Sequence, residues 1–250
     1  MKFITILLLF CITIHNQSAN PVQPTLDQAL LALPNTKSIA NFNLTLNKLK
    51  NINPTFFTKR HKAIVYMHGC AGLGYYEKLD MRLLADQGYL VYAPDSFARP
   101  DKKISCDAKK KQGGLHREVL ALRLLEAKAA IDFLHTQAFI DKDIVLAGFS
   151  EGAITTAKYP HNDIHKKLIL GWTCNAGWPE YIGLEGPLDL KVQAILSDKD
   201  PWFQTPYLAG SCNKFMYNRP EARSLVIMHN KHYVGDQDIA KKAIVQFLKN

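Results

Sequence analysis

The sequence predicts a doubly wound α/β domain, with a mostly parallel sheet flanked by helices on both faces. Three observations carry this. From Lys62 onward, short runs of β-branched and aromatic residues alternate with longer stretches of helical periodicity, as parallel strands joined by crossover helices do. The run AIVYM at residues 63–67 is apolar throughout, as a strand covered on both faces must be. With 250 residues, 47% of them hydrophobic, the chain can bury one sizeable core without dividing.

The elements follow in order. After the strand at 63–67, residues 77–87 carry Leu79, Leu83 and Leu84 at helical spacing, and Gly88 closes that helix as its C-terminal cap. Residues 89–93 form the next strand and stop at Pro94. Residues 99–114 are polar, basic and contain glycines, which predicts a loop. The longest helix spans 116–137, with Val119, Leu122, Leu125, Ala129, Phe133 and Leu134 marking its buried face. Residues 144–147 form a strand that runs straight into Gly148. Further strands are expected at 168–172, 192–196 and 225–228, and a closing helix at about 237–248. Residues 20–60 read as an antiparallel edge or an N-terminal cover, with a short strand at 42–46.

The first 19 residues stand apart. Lys2 gives a positive start, residues 3–14 are an apolar run, and residues 16–19 are polar and end on a small side chain. This is the make-up of a secretory signal peptide cleaved near Ala19. The domain proper then spans 20–250, exported to the periplasm or secreted, with no stable membrane insertion after cleavage. An uncleaved anchor is the alternative, although the apolar run falls short of the roughly 20 residues that a spanning helix needs. Cys11 follows Leu8, Leu9 and Phe10 as in a lipoprotein cleavage site, but bulky Phe10 argues against that.

Cleavage removes Cys11 and leaves Cys70, Cys106, Cys174 and Cys212, an even set bound for an oxidising compartment. Two disulfides are expected. Of the three pairings that can be drawn, chain neighbourhood favours Cys70 with Cys106 and Cys174 with Cys212, each pair on loops at one edge of the sheet. Four buried free thiols are the alternative, and zinc is disfavoured because no two cysteines have the close spacing of metal ligands. The formal charge is +9, one less without Lys2, yet the basic residues are scattered. Only Lys109, Lys110 and Lys111 form a run, read as a solvated loop. No interleaving of basic and aromatic residues points to nucleic acid as a partner.

Gly148, Phe149, Ser150, Glu151 and Gly152 spell GxSxG. That spacing suits a very sharp turn from strand to helix, in which the serine is held in a strained conformation and the glycines remove side chains that would collide. The bare pattern is weak, but here it follows the strand IVLA and precedes the helical AITTAK, the setting it requires. Ser150 is therefore the candidate nucleophile. A serine hydroxyl needs a base to take its proton and a carboxylate to orient that base, in the chain order serine, acid, histidine.

Downstream histidines are His161, His165, His229 and His232. The base belongs in the loop after the last strand, which leaves His229 and His232; the latter lies further out and is favoured. For the acid, the strand VQAIL empties into Ser197, Asp198, Lys199, Asp200 and Pro201. Asp200, followed by rigid Pro201, is favoured over Asp198, a turn former. An oxyanion hole needs two backbone N–H groups, expected from Glu151 and from Cys70 in the small-residue loop His68, Gly69, Cys70, Ala71, Gly72. His68 itself suits a structural hydrogen-bonding role.

The blocks HGCAG, YLVYAPDSFARP, GFSEGA and AILSDKDPWF, followed by a late histidine, resemble the dienelactone hydrolase family of α/β-hydrolases. The resemblance covers roughly residues 60 to 250, with the four blocks in the family's order and spacing. It implies an α/β-hydrolase fold, Ser150, Asp200 and His232 as catalytic residues, and Cys70 and Glu151 as oxyanion-hole donors. It also implies a cofactor-free enzyme that cleaves small carboxylic esters or lactones through an acyl-enzyme. One departure stands out: the family's nucleophile is cysteine and this chain has Ser150, which points away from dienelactone as substrate, as does the export signal. The other readings are a secreted acetyl or feruloyl carbohydrate esterase, a small peptidase, and a non-catalytic hydrolase-like binding protein. Tyr76, Phe97, Trp178 and Trp202 are candidates to line an apolar pocket. Between Trp172 and Lys191 there is no sustained helical period, so no long lid is expected.

Overall fold

The computed structural model describes residues 21–250, so the expected leader, the cleavage site at Ala19 and Cys11 lie outside the described residues. Ten strands follow in chain order. They are β1 (Leu30–Ala32), β2 (Ile39–Asn41), β3 (Ala63–Met67), β4 (Leu90–Ala93), β5 (Cys106–Asp107), β6 (Gln112–Gly113), β7 (Val145–Phe149), β8 (Lys166–Leu170), β9 (Lys191–Ser197) and β10 (Ala222–Ile227). Eight of them make one sheet in the order β10-β9-β8-β7-β3-β4-β1-β2. It is parallel from β4 through β10, and β1 joins the other side of β4 antiparallel, with β2 beyond it. This is a doubly wound, mostly parallel sheet with an antiparallel N-terminal edge, as the sequence predicts.

Alternation along the strands builds two cores. Ile64 and Tyr66 of β3 face one side with Val91, Val145 and Ala147, against Met81 and Leu84 of α3 (Tyr75–Ala85) and Ile244 and Leu248 of α6 (Asp238–Lys249). Ala63, Val65 and Met67 face the other with Leu90, Tyr92 and Leu146. There they meet Ala127, Ala130, Ile131 and Leu134 of α4 (Val119–His135) and Phe42 of α2 (Phe42–Ile52). A smaller cluster seats Ala153 and Ala157 of α5 (Glu151–Lys158) on Ile169, Val192 and Ala194. A short α1 (Gln23–Asp27) completes the helices.

The structure corrects four expectations. Residues 42–46 begin α2 rather than a strand: Asn41 caps the helix by accepting from the Leu44 N–H (3.3 Å), and Leu44 is 71% exposed. The spacing of Phe42, Leu44 and Leu46 imitates a strand, but burial follows Phe42 and Leu49, two helical turns apart. On α4, Leu125 faces solvent at 55% exposure, and the inward face carries Arg123 and Glu126. The 99–114 loop contains the β5–β6 hairpin. Strand β8 begins at Lys166, two residues early, because Lys166 and Lys167 are both buried. The Lys166 ammonium reaches the carbonyls of Phe247 and Leu248 at the end of α6 (3.2 and 3.3 Å). Lys167 donates to the carbonyls of Ala157, Tyr159 and Glu185 (3.3, 2.5 and 2.9 Å), which ties down the end of α5. Burial pushes its ammonium down to about 7, with Arg219 nearby acting in the same direction.

Both favoured disulfides are formed. Cys70–Cys106 joins the loop after β3 to the β5–β6 hairpin (Cα to Cα 5.9 Å), and Cys174–Cys212 joins the loops after β8 and β9 (4.9 Å). Among the described residues no helix is long and apolar enough to cross a membrane. The bridges close loops of 36 and 38 residues. Loop-closure entropy puts each at roughly 4 kcal/mol. Thermal melts with and without reductant should therefore show a clear loss of stability on reduction, and thiol titration of the unreduced protein should find no free cysteine among these four.

Candidate active site

At the head of β7 the chain reverses direction within one residue. Ser150 sits at φ 57°, ψ −118°, a conformation that costs an L-residue energy, and α5 starts at the next residue. The turn closes only because both flanking glycines lack a side chain. A Cβ on Gly148 would lie 2.3 Å from the Gly152 carbonyl oxygen, and one on Gly152 would lie 1.9 Å from that of Met67. The Ser150 N–H donates to the Leu170 carbonyl of β8 (2.9 Å), which fixes the turn between its neighbours.

The Ser150 hydroxyl meets His232 Nε2 at 2.8 Å, and His232 Nδ1–H donates to Asp200 Oδ2 at 2.6 Å. Asp200 is 1% exposed, and its other oxygen accepts from the Trp202 N–H (2.9 Å). The imidazole is enclosed by Phe149, Trp202 and Phe203, with ring centroids 4.9 to 5.6 Å away. His229 plays a different part: its N–H donates to Asp198 Oδ1 (2.9 Å), closing the end of β10 onto the turn after β9. Asp198 is thus engaged with backbone, as a turn former would be. His165 pairs its N–H with the Ile144 carbonyl (2.7 Å) before β8, at the opposite end of the sheet.

The loop after β3 lies beside Ser150, since a Cβ on Gly69 would be 3.5 Å from the Ser150 Cβ. Cys70 and Glu151 line the same cleft as Ser150, and neither N–H has a protein acceptor among the described residues. His68 is fully buried: Nδ1–H donates to the Gly69 carbonyl (2.6 Å) and Nε2 accepts from the Ser96 N–H (3.0 Å). Burial, reinforced by Arg123, holds its pKa well below the ordinary value, so the ring is neutral and structural.

A buried polar network that the sequence reading missed underlies both loops. Arg123 donates to the His68 carbonyl (2.5 Å) and to Glu151 Oε1 (3.3 Å), so one side chain links the loop after β3 to the helix after Ser150. Arg99 pairs with Glu126, which also accepts from the Ser96 hydroxyl (2.5 Å). Glu77 accepts from the N–H groups of Gly69 and Gly74 (3.3 and 3.1 Å). The signal was present in α4: Arg123 sits on the stripe of Val119, Ala127 and Ala130, where a charge needs a buried partner.

The cleft has a volume of about 750 Å³ and is walled by Trp172, Trp178, Trp202 and Tyr207, with Lys111 at its rim. Lys111 Nζ lies 5.7 Å from the centre of the Trp202 ring. Trp178 and Trp202 line it as expected; Tyr76 and Phe97 do not. Tyr76 stacks on Tyr233 (4.4 Å), and Phe97 packs over Gly72 and beside His68. Between β8 and β9 the only helical element is a 3-10 turn at Pro179–Tyr181, so among the described residues that segment forms no helical lid.

No family model matches the chain, and no curated protein matches it in sequence. Solved structures do. A Klebsiella pneumoniae protein assigned as a dienelactone hydrolase superposes with a TM-score of 0.56 at 17% identity, over 77% of this chain and 88% of its own. A dienelactone hydrolase-like promiscuous phosphotriesterase from metagenomic libraries gives 0.57 at 18%, over 76% and 87%. Est1E of Butyrivibrio proteoclasticus, solved with ferulic acid bound, gives 0.57 at 14%, over 88% and 93%. The chain has the α/β-hydrolase fold. Dienelactone hydrolase-like proteins are among the structures it is similar to.

The elbow makes a sharp prediction. Gly152→Ala sets a Cβ against backbone, which cannot move aside, and should cost more than about 4 kcal/mol, enough to lose the folded protein. Gly113→Ala meets nothing within 4 Å and serves as the neutral control. Soluble yield and thermal melts of the two variants check this.

Proposed function

We propose that this chain is an exported serine hydrolase that cleaves small carboxylic esters or lactones through an acyl-enzyme on Ser150. The observation that carries the reading is the unbroken hydrogen-bonded chain from the Ser150 hydroxyl through His232 to buried Asp200, at the head of a strained strand-to-helix turn. His232 Nε2 takes the hydroxyl proton as Ser150 Oγ attacks the ester carbonyl carbon. The oxyanion that forms accepts from the N–H groups of Cys70 and Glu151. As the tetrahedral intermediate collapses, the imidazolium passes its proton to the departing alkoxide, leaving the acyl group on Ser150. Water then enters, loses a proton to His232 and attacks the acyl carbon, and Ser150 leaves with the proton returned. Asp200 keeps the imidazole in the Nδ1–H tautomer and stabilises its charged form. In this scheme no cofactor takes part.

The aromatic walls of the cleft favour a compact substrate with a planar or apolar acyl group, and the uncovered mouth favours short chains. Two disulfides support export, with residues 1–19 as the removed leader and residues 20–250 as the domain. The partner in this reading is a small-molecule ester, not nucleic acid. A second reading, a secreted feruloyl or acetyl carbohydrate esterase, draws on the same walls and on the likeness to the ferulic acid complex of Est1E.

Ser150→Ala should abolish both ester hydrolysis and labelling by a fluorophosphonate probe while leaving the melting temperature unchanged. His232→Ala should lower kcat by about three orders of magnitude or more and His229→Ala by less than about tenfold. A reversed pattern transfers the role to His229. Across nitrophenyl esters of rising chain length, rates should peak at short acyl groups. Emulsified long-chain triglyceride should give no jump in activity; a jump identifies a lipase instead.

A further inference from the structure

Helix α3 presents two buried carboxylates from its first turns, Glu77 and, three residues on, Asp80 (5% and 1% exposed). Glu77 holds the loop after β3. Asp80 has no part in the mechanism above, yet both its oxygens are occupied: Oδ2 accepts from the Tyr66 hydroxyl (2.6 Å) and Oδ1 from the Tyr233 hydroxyl (2.8 Å). Tyr66 lies in β3, two residues before His68. Tyr233 directly follows His232.

The geometry points to Asp80 as a positioning residue for His232, its carboxylate tying the loop that carries the imidazole to the strand that carries the oxyanion loop. This rests on the serine hydrolase reading. The Tyr233 ring is stacked on Tyr76 (4.4 Å) and meets Phe149 edge-on (5.6 Å), while Phe149 also touches the His232 ring. A Cβ on Gly235 would lie 2.3 Å from Asp80 Oδ1 and 2.5 Å from the Tyr233 hydroxyl, so the loop folds tightly over the carboxylate. One residue before His232, the Lys231 carbonyl accepts from the Ser197 hydroxyl (2.6 Å). The imidazole thus hangs between two anchors, Ser197 on one side and Asp80 on the other. A displacement on the order of 1 Å at a reacting group can cost a hundredfold in rate.

The ionised carboxylate suits this arrangement, because it can accept from both hydroxyls at once and has no proton to place. The groups facing Asp80 are Tyr66 from β3, Tyr233 and Asp236 from the histidine loop, and Glu77 from its own helix. Burial raises Asp80 to about 7; the two tyrosine hydroxyls pull the other way, and Glu77 and Asp236 add to the rise. Lowering the pH through neutrality therefore protonates Asp80, so that one of its two tyrosine bonds must break or reverse and the loop loosens.

The test compares Asp80→Asn, Tyr233→Phe and the unmodified enzyme for kcat, KM and melting temperature on a short nitrophenyl ester, with kcat followed from pH 5 to 9. Asp80→Asn should lower kcat about thirtyfold or more with KM within about twofold, and Tyr233→Phe should lower it about tenfold. The kcat of the unmodified enzyme should fall as the pH drops through neutrality, and Asp80→Asn should lose the part of that fall that belongs to Asp80. Folded variants with normal kcat and an unchanged acid limb, even with a lowered melting temperature, overturn the proposal in favour of a merely structural Asp80. If Asp80→Asn does not fold, Tyr233→Phe, which removes one hydroxyl, decides by the same measurements. Failure of the hydrolase reading has a different signature: the unmodified protein takes no fluorophosphonate and hydrolyses no ester, and this proposal falls with it.

Discussion

The rest of the site depends on the absence of two side chains. With no Cβ at Gly148 or Gly152, α5 can leave β7 at once and lie with its first turn against the end of β3. That contact brings Glu151 and Ser150 beside the loop of Gly69 and Cys70, and lets one arginine on α4 reach both. Any residue larger than glycine at 152 would push the helix off the strand and separate the serine from the loop after β3. The strain stored in Ser150 is tolerated because neighbouring strands hold the backbone on both sides.

Beneath this turn lies a polar layer that a hydrophobic core would not need for stability. Arg99, Arg123, Glu126, Glu151, Ser96 and His68 come from four separate segments and bond to one another largely out of water. Desolvating such pairs consumes much of their mutual attraction, so their net contribution to stability is small, while removal of one partner leaves an uncompensated charge. What the layer supplies is register: through Arg123, Arg99 and His68 the loops after β3 and β4 and the helix after β7 are tied to one another, although the Nε atoms of both arginines are buried without an acceptor among the described residues.

Much of this was legible in the sequence where chemistry and periodicity coincide. Buried parallel strands are apolar runs, so AIVYM and IVLA could be read directly. The turn GFSEG, the pair Asp198 and Asp200 after VQAIL, and the late histidines were locatable by chain order alone. Elements that break the pattern were misread for specific reasons. Phe42, Leu44 and Leu46 alternate like a strand, yet the cap at Asn41 turns them into a helix. Lys166 and Lys167 look like the end of a loop, but their ammonium groups find helix-end carbonyls and enter the sheet. Arg123, Glu126 and Asp80 carry no mark of their roles in the sequence because their partners are remote along the chain, and only the fold brings them together.

The four bridged cysteines occupy the loops that follow β3, β4, β8 and β9, all at the carboxyl ends of parallel strands. The opposite end of the sheet has no such tie among the described residues and is held by packing and by hydrogen bonds such as Tyr89 to the Leu248 carbonyl (3.1 Å). Rigidity is therefore graded along the strand axis, stiff around the cleft and softer beneath it. Thermal fraying has its easier entry at the amino ends of the strands, where no covalent tie limits the opening, and the cross-linked rim keeps its shape through such excursions.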